Sequence, residues 1–589
     1  MDHAANAKTV TKLLFRLLPA QILLAAAGSV NSIVSSFFAS NFVGITAMSA
    51  VGLYGPLNMF VSAVSTILVG GAVILCGRYM GRNDQERMQS VFSLDLAVSA
   101  LIALIFTALF VFMGLFGLTG FLTRDEAVRP VFNRYLLGQS IGILPFMLSN
   151  PIAAFLSLEN RGRRTFTASL LYIGVNVALN WLFVQQMHME AFGLALASSL
   201  GMWVFMGVQA QFYLSGKSYF RFSSARLAWK ESGDILRIGL PGALSYIYQT
   251  GRGLITNRLL ETFVGSVAIS AFAGADSLLR IFWALPGGML AVSRMMISVS
   301  VGEEDRQTLT DVMRVMFRCF IPLMCAVSAA IILCAEPMTR LLYRESAGPV
   351  YMMTVWGLRI LPLCMPLSVI CMHFTCYGQA SGKIWLVHLL SLLDGIVCVA
   401  GFTALLIRSI GMNSVYFANV LNGIVTTLVI FAYALNKNRR IPRNMEELMV
   451  IPDGFGVPED RRLDLSVSTM EDVVGVSEQV QRFCLGLGTD ARRADLAGLS
   501  MEEMAGNIVE HGFEKDSKKH SIDVRVVYKD GDVILRTRDD CVPFDPGERQ
   551  KLAAGDDVTK NIGIRMVFGI ARDVQYQNIL GLNVLTIRI

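Results

Sequence analysis

The sequence predicts an α-helical polytopic membrane protein with 12 transmembrane helices in two parallel six-helix repeats, followed by an α+β soluble domain. Three observations carry this reading. Of 589 residues, 53% are hydrophobic and 16% charged, against about a quarter charged in an ordinary soluble domain. The charges are split unevenly: residues 1–440 hold 32 Lys+Arg and 19 Asp+Glu, and residues 441–589 hold 19 and 26. Short motifs also recur in the apolar part at a nearly constant offset. Leu18-Pro19-Ala20 returns as Leu240-Pro241-Gly242, Gly81-Arg82-Asn83-Asp84 as Gly302-Glu303-Glu304-Asp305, Pro145 as Pro362, and Gly162 as Gly382.

Apolar stretches long enough to cross a bilayer, about 20 residues each, fall at 12–36, 46–76, 92–118, 131–157, 166–186 and 190–215. A second set follows at 235–262, 265–300, 312–335, 348–376, 384–408 and 412–436. Six spans return the chain to the side it started from. The halves are then like-oriented repeats about an axis along the membrane normal, a plan that exposes a central site to either side in turn. Lys8, Arg78, Arg161, Lys217 and Lys437 share the side of both termini, and their excess marks that side as cytoplasmic. The polar start, Met1 to Lys12, gives no expectation of a cleavable signal peptide. The domains expected are a first lobe, 1–220, a second lobe, 221–440, a linker, 441–460, and a soluble domain, 461–589.

Several local patterns join the duplicated prolines: Val30-Asn31, Phe42-Val43-Gly44, Ala50-Val51-Gly52-Leu53, Asn176 with Asn180, Gly193-Leu194-Ala195, and Ile238-Gly239-Leu240-Pro241. Together they resemble the MATE multidrug and toxin extrusion family over roughly residues 10–440. The resemblance implies an antiporter that exports small organic substrates, typically cations, in exchange for H+ or Na+. It also implies where to look for the transport cavity. Asn31 stands where the family often has a first-span aspartate, and Gln249 where many members have an acid. Neither amide titrates near neutral pH, and Asn180 is a third neutral member. Ionisable groups within spans are costly and therefore functional candidates. Asp276 and Asp394 are read as cation-coupling or substrate groups, with Arg252 facing the same cavity. The plainer alternative pairs Asp276 with Arg280, four residues along one helical face, and Asp394 with a polar neighbour. Asp95, at the start of its span, is expected to reach the interface. An unpaired Arg252 would suit a phosphate or carboxylate. A lipid-linked-precursor flippase of the same superfamily is therefore the alternative.

In the polar tail, Leu463, Leu465 and Val467 alternate with polar residues and predict a strand. Helices are predicted at 471–486, 493–512 and 563–573. Strands flank Asp530-Gly531, and a terminal hairpin turns at Gly581. Glu503, Asn507 and His511 fall on one helix face, Asp539-Asp540-Cys541 through Asp545-Pro546 follows a strand, and Gly563 opens a helix. These motifs, in this order, resemble the GHKL ATPase superfamily, and most closely its anti-sigma-factor serine kinase branch. The resemblance implies ATP and Mg2+ as cofactors. Asn507 would hold Mg2+, Glu503 would act as catalytic base, Asp539 would accept the adenine amino group, and Asp545, Lys560 and Gly563 would complete the nucleotide site. Cys541 replaces an expected glycine, and Lys560 and Asn561 replace a pair of them. The implied activity is an ATP-dependent serine protein kinase or ATPase, with a STAS-type or sigma-factor-like protein partner. No Gly-rich loop ending in Gly-Lys-Ser/Thr is present, so ATP is expected to regulate rather than drive transport. A membrane receptor signalling through the tail is the third reading. Membrane lipid is the expected surrounding, nucleic acid is not expected, and both resemblances imply a bacterial inner membrane.

Overall fold

The computed structural model describes residues 3–589 except 83, 122–125, 217, 228, 343–347, 514–519, 530 and 548–561. The first lobe comprises α1 His3–Phe38, α2 Ile45–Gly81, α3 Gln85–Leu115, α4 Val128–Leu158, α5 Gly162–Asn180 and α6 Glu190–Leu214. The second comprises α7 Ser232–Phe263, α8 Ser266–Leu279, α9 Ala284–Gly302, α10 Arg306–Leu333, α11 Ala335–Leu342, α12 Pro349–Ile360, α13 Cys364–Ser381, α14 Ile384–Leu392, α15 Cys398–Ile410 and α16 Asn413–Asn438. Among the described residues, 11 spans are long and apolar enough to cross a membrane. At the seventh place, α7 has 32 residues but carries Asp234, Arg252 and Glu261, so its composition alone does not mark it as a span. The stretch predicted as one span at 265–300 is instead two helices, α8 and α9. Pro286 lies in the first turn of α9, where its missing N–H has no intrahelical partner.

The repeated motif has a local cause in each lobe. Asp84 caps α3 by accepting from Arg87 N, and Asp305 caps α10 by accepting from Thr308 N. Such a cap stabilises a helix by about 1 kcal/mol. Gly81 and Gly302 bring α2 and α9 together backbone to backbone. A Cβ on Gly81 would lie 2.4 Å from Val299 O, and one on Gly302 would lie 2.2 Å from Arg78 O. Further along, a Cβ on Gly71 would meet Ile235 O at 2.1 Å, and one on Gly239 would meet Ile67 O at 1.9 Å. The lobes therefore touch closely at the ends that face the tail. Toward the opposite side, Gly52 and Gly55 of α2 and Gly253 of α7 have nothing within 4 Å of a built Cβ.

In the linker, α17 Met445–Met449 is held by Lys383, whose Nζ donates to Met449 O and Val450 O, both at 2.6 Å. The tail folds as β1 Arg462–Val467, α18 Met470–Gly486, α19 Ala491–Gly512, β2 Ile522–Lys529, β3 Asp532–Asp539, α20 Ile562–Ile570, β4 Asp573–Ile579 and β5 Leu582–Arg588. The sheet is antiparallel in the order β1-β2-β3-β5-β4. Ile522, Val524, Val526, Val533 and Leu535 point into a core shared with α18, α19 and α20. Strand alternation then turns Arg525, Arg536 and Arg538 to the other face.

Candidate functional sites

In the tail, α19 and the ends of β3, β4 and β5 enclose a cavity of about 520 Å³. Its lining includes Asn507, Ile508, Asp539, Cys541, Phe544, Ile564, Tyr576 and Asn583. Asp539 is 5% exposed, and its Oδ1 accepts from Cys541 N at 2.9 Å and Asn583 Nδ2 at 2.7 Å. Tyr576 in turn donates to Asn583 Oδ1 at 2.8 Å. Burial pushes the Asp539 carboxyl upward, and the bonds from Asn583 and the Cys541 N–H pull it part of the way back. A buried carboxylate fixed among apolar walls can read the amino edge of a flat heterocycle. Asn583 and Tyr576, which set its geometry, carry no sequence signal beyond strand alternation.

Of the residues named from sequence, Asn507, His511, Asp539 and Cys541 line this cavity. Asn507 Nδ2 donates to Glu503 O at 2.7 Å, which leaves its amide oxygen as the atom available to a ligand. Glu503 lies against the start of α20, where a Cβ on Gly563 would sit 1.8 Å from Glu503 Oε2. Only glycine leaves room for that carboxylate at the helix N-terminus, where the helix dipole favours negative charge. Asp545 is absent from the cavity lining and accepts from Gly547 N at 2.8 Å, closing its own turn. Lys560 lies outside the described residues. Cys541 lines the cavity beside Gly512, so its side chain narrows the space that a glycine would leave.

In the first lobe, a cavity of about 300 Å³ is lined by Asn31, Ser35, Tyr54, Asn58, Gln139 and Ser198 among others, with no charged side chain in its lining. Ser35 and Ser198 are 3.3 Å apart, Asn176 Nδ2 donates to Ser198 Oγ at 3.4 Å, and Asn180 Nδ2 donates to Asn176 O at 2.8 Å. Asn180 is itself fully buried behind the lining. Among the described residues, the buried oxygens Asn31 Oδ1 and Asn180 Oδ1 have no hydrogen-bond partner. Asp95 differs from its sequence reading. It is 1% exposed within α3, and both carboxylate oxygens are unpartnered.

In the second lobe, Arg252 Nη1 donates to Asp394 O at 3.4 Å, so these two are neighbours. The Asp394 carboxylate accepts from Asn422 Nδ2 at 2.7 Å, in the π-helical turn Leu393–Val397. Asp276 pairs with Arg280 at 2.8 Å, and Gln249 is exposed on α7. Both pairings of the plainer sequence reading are therefore present.

Residues 22–182 and 241–400 match the MatE family model, one segment in each lobe, and residues 467–589 match a histidine kinase-like ATPase domain. The probable multidrug resistance protein YpnP of Bacillus subtilis is 23% identical over 276 residues, 46% of this chain and 61% of that protein. DETOXIFICATION 39 of Arabidopsis thaliana is 24% identical over 275 residues, 44% of this chain and 54% of that protein. The chain thus spans less than two thirds of the length of these curated relatives. An outward-facing multidrug resistance MATE family transporter superposes with a TM-score of 0.65 at 20% identity, covering 72% of this chain and 95% of that one. A MOP superfamily transporter from Pyrococcus furiosus, described as having a binding pocket of reverse polarity, gives 0.62 at 19%, covering 71% and 95%. These likenesses establish the fold.

Proposed function

We propose, from the premise that this chain belongs to the MatE family, that it is a multidrug-type efflux antiporter coupled to H+ or Na+, carrying an ATP-binding regulatory domain on its cytoplasmic side. The observation that carries this is the close packing of two repeated lobes, beside a neutral polar cavity in the first of them. In proteoliposomes, ethidium movement is expected to follow an imposed ion gradient. Ethidium flux indifferent to both proton and sodium gradients would remove the antiporter reading.

Two sets of unpartnered oxygens suit the two candidate ions. Asp95 offers a buried carboxylate whose two oxygens have no hydrogen-bond partner among the described residues. Asn31 and Asn180 offer neutral carbonyl oxygens, which are hard donors for a cation such as Na+. Asp95→Asn is expected to cut proton-driven flux about tenfold or more, because buried ionisable groups in spans carry proton relays, and to spare sodium-driven flux. Equal proton-driven rates in the variant and the parent would rule Asp95 out as the carrier.

For the tail, the buried acceptor Asp539 supports an adenine-reading role, and the Asn507 amide oxygen in the same cavity would be open to Mg2+. When bound, ATP with Mg2+ would supply the phosphoryl chemistry expected of the family. The Glu503 carboxylate packs against Gly563 in this state and is not extended toward a second substrate. The state described therefore favours a nucleotide-sensing role over a kinase engaged with a protein partner.

A second cargo reading is favoured by one observation. Asp276 is engaged by Arg280, and among the described residues Arg252 has no ion pair, its Nη1 meeting the backbone oxygen of Asp394 rather than the carboxylate. A cargo with an anionic group, such as a lipid-linked precursor, would be held by that guanidinium. Arg252→Gln is then expected to weaken uptake of an anionic cargo about tenfold and leave ethidium flux intact. If ethidium flux rises instead, Arg252 repels cations and the export of cationic drugs is the better reading.

A further inference from the structure

The tail touches both lobes. On the second lobe it meets the acidic loop between α9 and α10: Arg538 pairs with Glu303, Lys529 with Glu304 at 2.7 Å, and Arg525 with Asp305. Arg525 and Arg536 are directly opposite each other across β2 and β3. Like charges so placed destabilise a sheet unless something neutralises them. The side chains of Glu303 and Asp305 are only 4% and 2% exposed, so the acids are buried against that arginine face. Glu304 also lies 3.6 Å from Arg82 of the first lobe, on the loop that the repeat makes equivalent.

The grip on the first lobe is smaller and sits elsewhere on the tail. Lys12 of α1 pairs with Asp540, and Leu580 N donates to Leu158 O at 3.2 Å at the end of α4. Gly581 packs on Asn160, where a Cβ would lie 2.3 Å from Asn160 Nδ2. These contacts share their elements with the nucleotide cavity. Asp540 adjoins Asp539, and the turn at Leu580 and Gly581 closes the hairpin that supplies Tyr576 and Asn583. The tail is tethered to the second lobe through α16 and through Lys383 on the linker. A relative movement of the lobes must therefore break the first-lobe grip.

We propose that the C-terminal domain is a clasp that rides on the second lobe, holds the first lobe through Lys12–Asp540 and the 580–581 turn, and reports occupancy of its nucleotide cavity as a tighter or looser grip. This rests on the reading of the lobes as alternating and of the tail as nucleotide-binding. Docked, the domain keeps the cytoplasmic ends together, and opening to the cytoplasm requires its release. Small differential affinities suffice, because a two-state equilibrium moves tenfold for each ~1.4 kcal/mol.

The test uses the full chain in nanodiscs with spin labels at Arg163 on α5 and Lys437 on α16, both exposed. The parent is expected to give mainly one short separation. Lys12→Glu, at a half-exposed side chain, is expected to raise the longer-separation population roughly three- to tenfold. E303Q/E304Q/D305N, which keeps an N-cap at position 305, is expected to do the same. Saturating Mg·ATP should shift the parent distribution and shift the Lys12→Glu distribution much less. Separations in both variants that match the parent overturn the clasp, and a parent distribution insensitive to Mg·ATP overturns its link to the nucleotide. Proteoliposome flux by the parent, measured separately, reports on the transporter reading. Parent flux with unchanged separations in the variants defeats the clasp alone.

Discussion

Gly239→Val is expected to abolish ethidium transport, with flux falling at least tenfold, while the protein still inserts in the membrane. A Cβ at this position would lie 1.9 Å from Ile67 O and 2.7 Å from Ile67 C, and the clash is with backbone, which no rotamer change relieves. The reciprocal site is as tight, since a Cβ on Gly71 would lie 2.1 Å from Ile235 O, and this removes the option of rotating α7 about its axis. The helices must separate, and overpacking of this kind costs ~1–3 kcal/mol or more. In a protein that alternates between two states, ~3 kcal/mol against one of them is roughly a hundredfold change in population. The variant should rest in the form that is apart at the tail side. Gly174→Ala is the matched control, because nothing lies within 4 Å of its built Cβ. Parental flux in Gly239→Val would mean that this contact is not part of the working cycle.

Asp539→Asn is expected to weaken Mg·ATP binding by the full chain about ten- to a hundredfold, the range for losing a hydrogen bond to a charged group. The variant keeps the shape of the side chain, so a comparable melting temperature separates loss of recognition from loss of fold. A pH series adds a second check. Burial raises the Asp539 carboxyl above its ordinary range. Affinity should be complete above that raised value and lost as pH falls through it, because protonation turns the acceptor into a donor. In Asp539→Asn this acid limb should be missing. Tight binding with an unchanged acid limb would place the nucleotide elsewhere.

Much of this was legible in the sequence because the residues concerned act locally. Asp84 and Asp305 are N-caps immediately before their helices, and Gly81 and Gly302 lie three residues earlier in the same repeat, so the duplication could be read from spacing. Asn507 and Asp539 are legible for a similar reason, since one helix face and one strand end bring them to the cavity, whereas Glu503, one turn earlier on that helix, lies against Gly563. What was not legible depends on what covers a residue. Asp95 reads as an interfacial acid because its span looks as if it begins near residue 92, whereas α3 begins at Gln85 and buries it. Arg525, Arg536 and Arg538 alternate with Val and Leu as the wet face of any half-buried strand would. Nothing local says that an acidic loop more than 200 positions earlier neutralises them. The break between α8 and α9 was hidden because Ile281-Phe282-Trp283 keeps it apolar and prolines such as Pro145 and Pro241 stand inside helices elsewhere.

The position of β5 sets an order of assembly. It is the strand made after all the others, yet it lies between β3 and β4 inside the sheet. Until residues 582–588 have cleared the ribosome, β3 has no neighbour on that side, and Tyr576 and Asn583 have no frame. Every membrane helix has been synthesised by then. If the tail acts as the proposed clasp, newly made protein passes through a stage in which the bundle is inserted and unclasped, and the clasp can close only after residues 582–588 have joined the sheet.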